Sequence, residues 1–426
     1  MNRNNERHFN QIPEMRASRT RFNRDQIILT TFDSGKLIPF YVDEVLPGDT
    51  FSVDTSAIIR MTTPKYPVMD DAFIDFYYFY CPNRILWDDF KQFMGEVEGT
   101  PWMPRKEYKV PQIVIKVTDG GISKPAEGTI LDYMGVPTKI KKTFRINALP
   151  IRGYVKIWNE YFRDENVDNA ATIKTTSQEV EYNTGTQSET NEKEATLEIR
   201  LQNAYKGGFC LPVNKYHDYF TSCLPYAQRG PEVTLPLEGN APVGLYRNRE
   251  LTEFGTSSGG SAIFFNQPNT SPYAPAIEND TIGDRIAIAT GSSNKNTQVG
   301  DVGYLGANLG AASAATVNEL RKAIAVQQYY EALARGGSRY REQVQALWNV
   351  VISDKTVQVP EYLGGGRYHV NMNQIVQTSG QQSNTDTPIG ETGAMSITPI
   401  NESSLTKSFE EHGVVIGVCV VRHSHS

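Results

Sequence analysis

Ten consecutive residues, Ala72 to Cys81, leave the chain little choice of local structure. Phe73, Asp75, Tyr77 and Phe79 alternate with Ile74, Phe76, Tyr78 and Tyr80, so an extended strand here carries apolar or aromatic side chains on both faces. Such a strand needs both faces covered, one of them by a second sheet or another subunit. Upstream, Phe51, Val53, Thr55, Ala57 and Ile59 recur with a period of two, the mark of a half-buried strand. Residues 26–32 and 36–42 read as two further short strands about the turn Asp33-Ser34-Gly35. The 22 Tyr and 18 Phe, with frequent Val, Ile and Thr, favour a mostly β chain over a helical bundle. A chain of 426 residues that is 39% hydrophobic can bury a large core, either as one long-looped β unit or as more than one domain.

Helical periodicity is confined to a few segments. Ile151, Tyr154, Val155, Trp158, Tyr161 and Phe162 predict an amphipathic helix over 150–163, with Pro150 in its first turn. Thr316 and Glu319 have capping-box spacing and open a helix carrying Leu320, Ala323, Ile324, Gln327, Tyr330 and Leu333. Gly336-Gly337 ends it, and a third helix with Tyr340, Val344, Leu347 and Trp348 follows Ser338. A DNA-reading helix-turn-helix would need a donor-rich second helix, so the pair reads instead as a helical hairpin packed on a β body. Residues 168–198 and 239–315 are rich in small and polar side chains and read as surface insertions, the second with strand-like runs at 262–265 and 285–289.

Reactive chemistry is sparse. No nucleophile elbow, phosphate-binding loop, zinc-protease motif or dinucleotide fingerprint occurs, so no catalytic residue and no cofactor is assigned. Asp70-Asp71 and Asp88-Asp89 are adjacent, which turns the two carboxylates of each pair to different sides and fits turns and helix starts better than catalysis. His423 and His425 could share a strand face near Cys419 or His412, but no second shell is legible and no metal site is assigned. The four cysteines are scattered and read as thiols in a reducing compartment. The apolar run 414–421 is too short to span a membrane and the first residues lack a signal-peptide core, so a cytosolic chain with no membrane partner is expected.

A net charge of −6 argues against a surface made throughout for nucleic acid, so any such contact is local. Residues 1–24 are the place for it. Arg3, Arg7, Arg16, Arg19, Arg21 and Arg24 face only Glu6 and Glu14, with His8, Phe9 and Phe22 interleaved. Guanidinium groups for phosphates and rings for unpaired bases make Arg3, Arg7, Phe9, Arg16, Arg19, Arg21, Phe22 and Arg24 the candidate nucleic-acid site. The competing reading is a frayed, solvated terminus.

The run Thr30-Thr31-Phe32-Asp33-Ser34-Gly35-Lys36-Leu37-Ile38-Pro39-Phe40-Tyr41-Val42-Asp43-Glu44-Val45-Leu46-Pro47-Gly48-Asp49-Thr50 resembles the signature near the start of the gokushovirus major capsid protein, within the microvirus group. Further blocks follow in the same order: Thr63-Pro64 with Pro67-Val68-Met69-Asp70, Pro82-Asn83-Arg84 with Trp87, Phe93-Met94-Gly95-Glu96, and Trp158-Asn159-Glu160-Tyr161-Phe162-Arg163-Asp164. His217-Asp218-Tyr219-Phe220-Thr221-Ser222, Ala334-Arg335-Gly336-Gly337-Ser338-Arg339-Tyr340, Pro360-Glu361-Tyr362-Leu363-Gly364-Gly365 and Glu411-His412-Gly413 complete the series.

The resemblance implies a mainly β fold: an eight-stranded antiparallel viral jelly roll with long loop insertions and a few α-helices, filling residues 25–426 as a single capsid domain. It implies a structural role, self-assembly into a T=1 icosahedral shell around circular single-stranded DNA, and residence in the virion after assembly in the host cytoplasm. The implied partners are other copies of the chain, the packaged DNA, a host surface receptor, and other virion or scaffolding proteins. A variable insertion forms an exterior protrusion in this family, and residues 239–315 match it by position and composition. Family members continue past the Glu-His-Gly block with another aromatic and basic segment, whereas this sequence stops at Ser426. The rival is an all-β carbohydrate-binding or carbohydrate-active jelly-roll protein, which would need a groove with exposed Trp or Tyr and paired carboxylates.

Overall fold

The computed structural model describes residues 20–62, 70–96, 108–116, 127–138, 140, 142–186, 195–216, 224, 226–234, 243–247, 250–251, 277–279, 286–288, 304–307, 316–337, 339–371, 373–376 and 392–424. Two compact units are distinguished: Met1–Pro225 with Trp348–Ser426, and Tyr226–Leu347.

The first unit is organised by strands from opposite ends of the sequence. β1 (Ile38–Val45), β2 (Thr50–Ile59) and β3 (Asp71–Pro82) come early. Short strands β4 (Gln112–Ile115), β5 (Phe144–Asn147) and β6 (Val180–Glu181) form a separate sheet in the order β5-β4-β6. The second unit carries β7 (Val243–Arg247), β8 (Glu250–Leu251), β9 (Ile277–Asn279), β10 (Ile286–Ile288) and β11 (Tyr304–Ala307), paired as β11-β7-β8 and β10-β9. Back in the first unit are β12 (Glu361–His369), β13 (Asn373–Val376), β14 (Thr392–Met395), β15 (Thr398–Ser408) and β16 (Gly413–Ser424). β1-β16-β3-β12 make a four-stranded antiparallel sheet, β2 pairs with β15, and β13 with β14.

β3 is the central element its sequence demands. It pairs along its whole length with β16, from Asp71 opposite Ser424 to Pro82 opposite Gly413, and its two faces meet different layers. On one face the Tyr78 hydroxyl bonds Thr55 of β2, and Tyr80 packs on Phe409 with Val415 and Val45. On the other, Phe79 stacks on Tyr161 with centroids 4.7 Å apart. Helix α1 (Leu149–Ile157) and the π-helical turn Trp158–Phe162 supply that second cover, over the span in which the apolar spacing predicts a helix. Gly153 of α1 lies so close to the sheet that an added Cβ would stand 2.8 Å from Ile416 Cδ1 and 3.5 Å from Cys81 Sγ.

Several polar groups taken into this core are satisfied by backbone, as burial requires. Tyr154 Oη donates to Leu37 O at 2.7 Å and accepts from Leu211 N at 3.1 Å, Trp158 Nε1 donates to Pro212 O at 2.6 Å, and Arg152 donates to Leu86 O and Thr176 O. The segment 168–198, a surface insertion by composition, contributes Ala171 and Tyr182 to the buried set.

Helix α2 (Val317–Arg335) opens with the expected box: Glu319 N donates to Thr316 Oγ1 at 3.3 Å and Thr316 N to Glu319 Oε2 at 2.7 Å. It stops at Gly336, and α3 (Tyr340–Trp348) follows. The strand expected at 26–32 is not formed. These residues join no sheet among the described residues, because a β-type composition makes no strand without an edge to pair with. The strand-like run 262–265 lies outside the described residues, whereas 286–288 forms β10.

Candidate nucleic-acid interface

Of the eight candidate arm residues, Arg21, Phe22 and Arg24 are described, and Arg3, Arg7, Phe9, Arg16 and Arg19 lie outside the described residues. Arg21 and Phe22 face solvent, Phe22 with 70% of its surface exposed. Arg24 does not stand free. Its Nη1 reaches the two Asp43 oxygens at 2.5 and 2.6 Å, and its guanidinium carbon lies 5.9 Å from the Phe22 ring centroid. Asp43 is held for it by Tyr41 Oη at 3.2 Å and by Glu44 N at 2.9 Å. Burial first, then the Asp43 carboxylate, push the Tyr41 pKa well up, so the phenol stays a donor. The pair is half open to water and contributes at most about 1 kcal/mol, but it ties the arm to β1.

The segment that follows the arm is fixed by other means. Tyr133 Oη donates to Thr31 O at 3.0 Å, and Phe32 packs against the main core. Gly35 adopts φ +79°, a left-handed conformation that the turn after Asp33 needs, and its backbone bonds Val421 O and Val213 N. The arm therefore leaves the sheet at a defined point.

Sequence reasoning passed over a second cluster, at the end of the sheet where β3 begins and β12 and β16 finish. Asp75, wholly buried, accepts from Arg367 Nε at 2.8 Å, Arg422 Nη2 at 2.5 Å, Tyr216 Oη at 2.7 Å and Tyr77 Oη at 3.1 Å. Both guanidinium carbons lie 4.2 Å from the Tyr216 ring centroid. Burial works to raise the Asp75 pKa, but the hydrogen bonds from Arg367, Arg422 and Tyr216 outweigh it and hold the carboxyl below its ordinary value. The signal was present: an aspartate in the middle of an aromatic strand demands a cation on a neighbouring strand.

Asp88 and Asp89 fasten a loop, and Asp71 links β3 to β12. Asp88 Oδ2 accepts from Thr175 Oγ1 at 2.7 Å, Asp89 accepts from Ser177 Oγ, and Asp71 meets His369 Nε2 at 3.2 Å. Among the described residues no three His, Cys, Asp or Glu side chains gather to hold a metal ion, and His425 lies outside them. Cys81, Cys210 and Cys419 are buried thiols. No described helix is long and apolar enough to cross a membrane.

Comparison with known proteins gives one consistent answer. The family described as "Capsid protein (F protein)" matches residues 10–426. The chain is 35% identical to capsid protein VP1 of Chlamydia phage 1, over 96% of this chain and 72% of that protein. It is 34% identical to capsid protein VP1 of Bdellovibrio phage phiMH2K, over 97% and 71% of the two chains. With capsid protein VP1 of Spiroplasma virus 4 the identity is 32%, over 93% and 68%.

Proposed function

The chain belongs to the phage capsid protein (F protein) family, a structural and not an enzymatic family, and from that premise we propose that it builds a T=1 icosahedral shell enclosing circular single-stranded DNA. The subunit is read as an eight-stranded jelly roll. The observation that carries this reading is the nesting of strand pairs: β1 with β16, β2 with β15, and β3 with β12, each pair enclosing the next in sequence. A jelly roll is one long antiparallel hairpin wrapped into two facing sheets, and such wrapping requires nested pairs of this kind. Three such nested pairs support the reading, two of them within one sheet whose Tyr78 hydroxyl bonds Thr55 of the third pair.

Residues 239–315 are the exterior insertion in this reading, the element that meets a host receptor, and residues 1–24 line the inside and meet the genome. Arg21 and Phe22 support the second assignment, since both are exposed beside an arm fixed at Arg24. Contact through phosphates and stacked bases is sequence-tolerant and weakens with salt by a log–log slope of about −0.7 per phosphate contact.

Electron microscopy of the purified chain tests the shell: uniform small particles support it, and a chain that stays monomeric under all assembly conditions overturns it. Arg16, Arg19 and Arg21 replaced together by Gln test the arm, with Arg24 kept because it is engaged by Asp43. Shells of normal yield and low DNA content are expected. Normal DNA density would return the arm to a solvated terminus.

A further inference from the structure

Residues 26–32 read as a β-strand in sequence and do not form one in the subunit. Their side chains are those of a strand about to be covered: Ile27 is 91% exposed, Leu29 is 95% exposed, and Ile28 between them is 39% exposed. Looseness does not account for this. The segment is clamped on one side by Arg24 on Asp43, and on the other by Thr31 under Tyr133 and by Phe32 in the core. Among the described residues, the Tyr133 bond to Thr31 O is the one hydrogen bond made to the backbone of residues 21–32. An anchored apolar stretch of β-type composition, with its side chains in water and its peptide groups open, has what a strand needs except an edge.

The same subunit displays such an edge. β2 is ten residues long and pairs with β15 on one side, while no strand lies along its other side among the described residues. Its residues alternate strictly between half-buried and exposed, with Phe51, Val53, Thr55, Ala57 and Ile59 inward and Ile58 outward at 77% exposure. Beside it, an added strand could set Ile27 and Leu29 in line with the inward row and leave Ile28 outward near Ile58.

We propose that residues 26–32 of one copy, which follow the basic arm, add as a strand to the free edge of β2 of a second copy, a strand-exchange contact holding neighbouring subunits together. The occupant is a second copy because the anchored segment joins no sheet of its own subunit among the described residues, and because a capsid is made of many copies of one chain. Strand addition uses main-chain hydrogen bonds for strength and alternate side chains for register. The proposal rests on the shell reading and adds to it a specific interface.

The test uses the full chain in two forms. In the first, Ile28→Cys is combined with Ser52→Cys in one protein and with Ser56→Cys in another, both positions being on the outward row of β2. The described native cysteines are buried and do not compete. Mild oxidation of assembled particles should give covalent dimers and longer ladders on a denaturing gel with at least one of the two pairings. Cross-linking confined within single chains, or none with either pairing, overturns the proposal.

In the second form, Ile27→Asp with Leu29→Asp should leave circular dichroism and melting of the unassembled chain unchanged, since both side chains are exposed there, and should lower particle yield by about tenfold or more. Wild-type yield from this variant overturns the exchange while leaving the shell intact. Failure of the wild-type chain itself to form particles would instead overturn the shell reading, and the exchange with it.

Discussion

Replacing Asp75 by Asn removes one negative charge from a site that holds two guanidinium groups, and the cost follows from how each can respond. Arg367 has 52% of its side chain exposed and can turn to water. Arg422 has 12% exposed and cannot, and its Nη2 also bonds Tyr77 Oη at 2.9 Å. Asparagine is nearly isosteric, but its amide nitrogen would point a donor at a donor on one side. Breaking a buried pair costs about 3–5 kcal/mol, and the freedom of Arg367 places this case near 3. For a unit of this size that is a fall in Tm of roughly 6 °C, at about 2 °C per kcal/mol. The pH dependence carries a sign. The folded pKa of Asp75 lies below its unfolded value, so the stabilisation is complete above the unfolded pKa of about 4 and is lost as pH falls through the folded value. The gap between wild type and Asp75→Asn should therefore be constant from neutral pH down to about 5 and close only in stronger acid. Urea unfolding of the unassembled chain, followed by the fluorescence of buried Trp87 and Trp158, measures it. Asp75→Leu with Arg422→Leu should recover most of the loss, because the apolar pair leaves no buried charge uncompensated and Arg367 can turn to water. A cost under about 1 kcal/mol, or a gap that persists in strong acid, would refute the account of Asp75 as a neutralised buried charge.

Two further outcomes check the packing of the same sheet. Gly365→Ala would set a methyl group against the carbonyl oxygen of Phe76 in the paired strand, so β12 must move away from β3, and a loss of about 1–3 kcal/mol or more in urea unfolding is expected. Burial pushes the Cys419 thiol up to about 12 and that of Cys81 higher still, so mass spectrometry should find neither alkylated at pH 8 in the native chain and both alkylated in denaturant.

What the sequence made legible and what it left dark divide along a physical line. β3, the alternation of β2, the α1 span and the Thr316 cap each depend on contacts or spacings that lie within a dozen or so residues, and each stands where the pattern put it. The Asp75 cluster joins residues 75, 216, 367 and 422, and no local pattern brings those together. Only the topology does, because β3 has to sit between β12 and β16 before the two arginines can meet one carboxylate. The candidate arm was legible as a composition of arginine and aromatic residues, but composition could not say that Arg24 is claimed by Asp43. Residues 26–32 are the most instructive case. Their β-type composition encodes a strand, yet a strand is a relation between two chain segments, and among the described residues no second segment pairs with them. When a local pattern is strong, the ends are anchored and the apolar side chains still face water, the pattern itself points beyond one chain. For a protein whose family builds shells, a sequence feature that fails inside the subunit is where to look for what the subunit is built to touch.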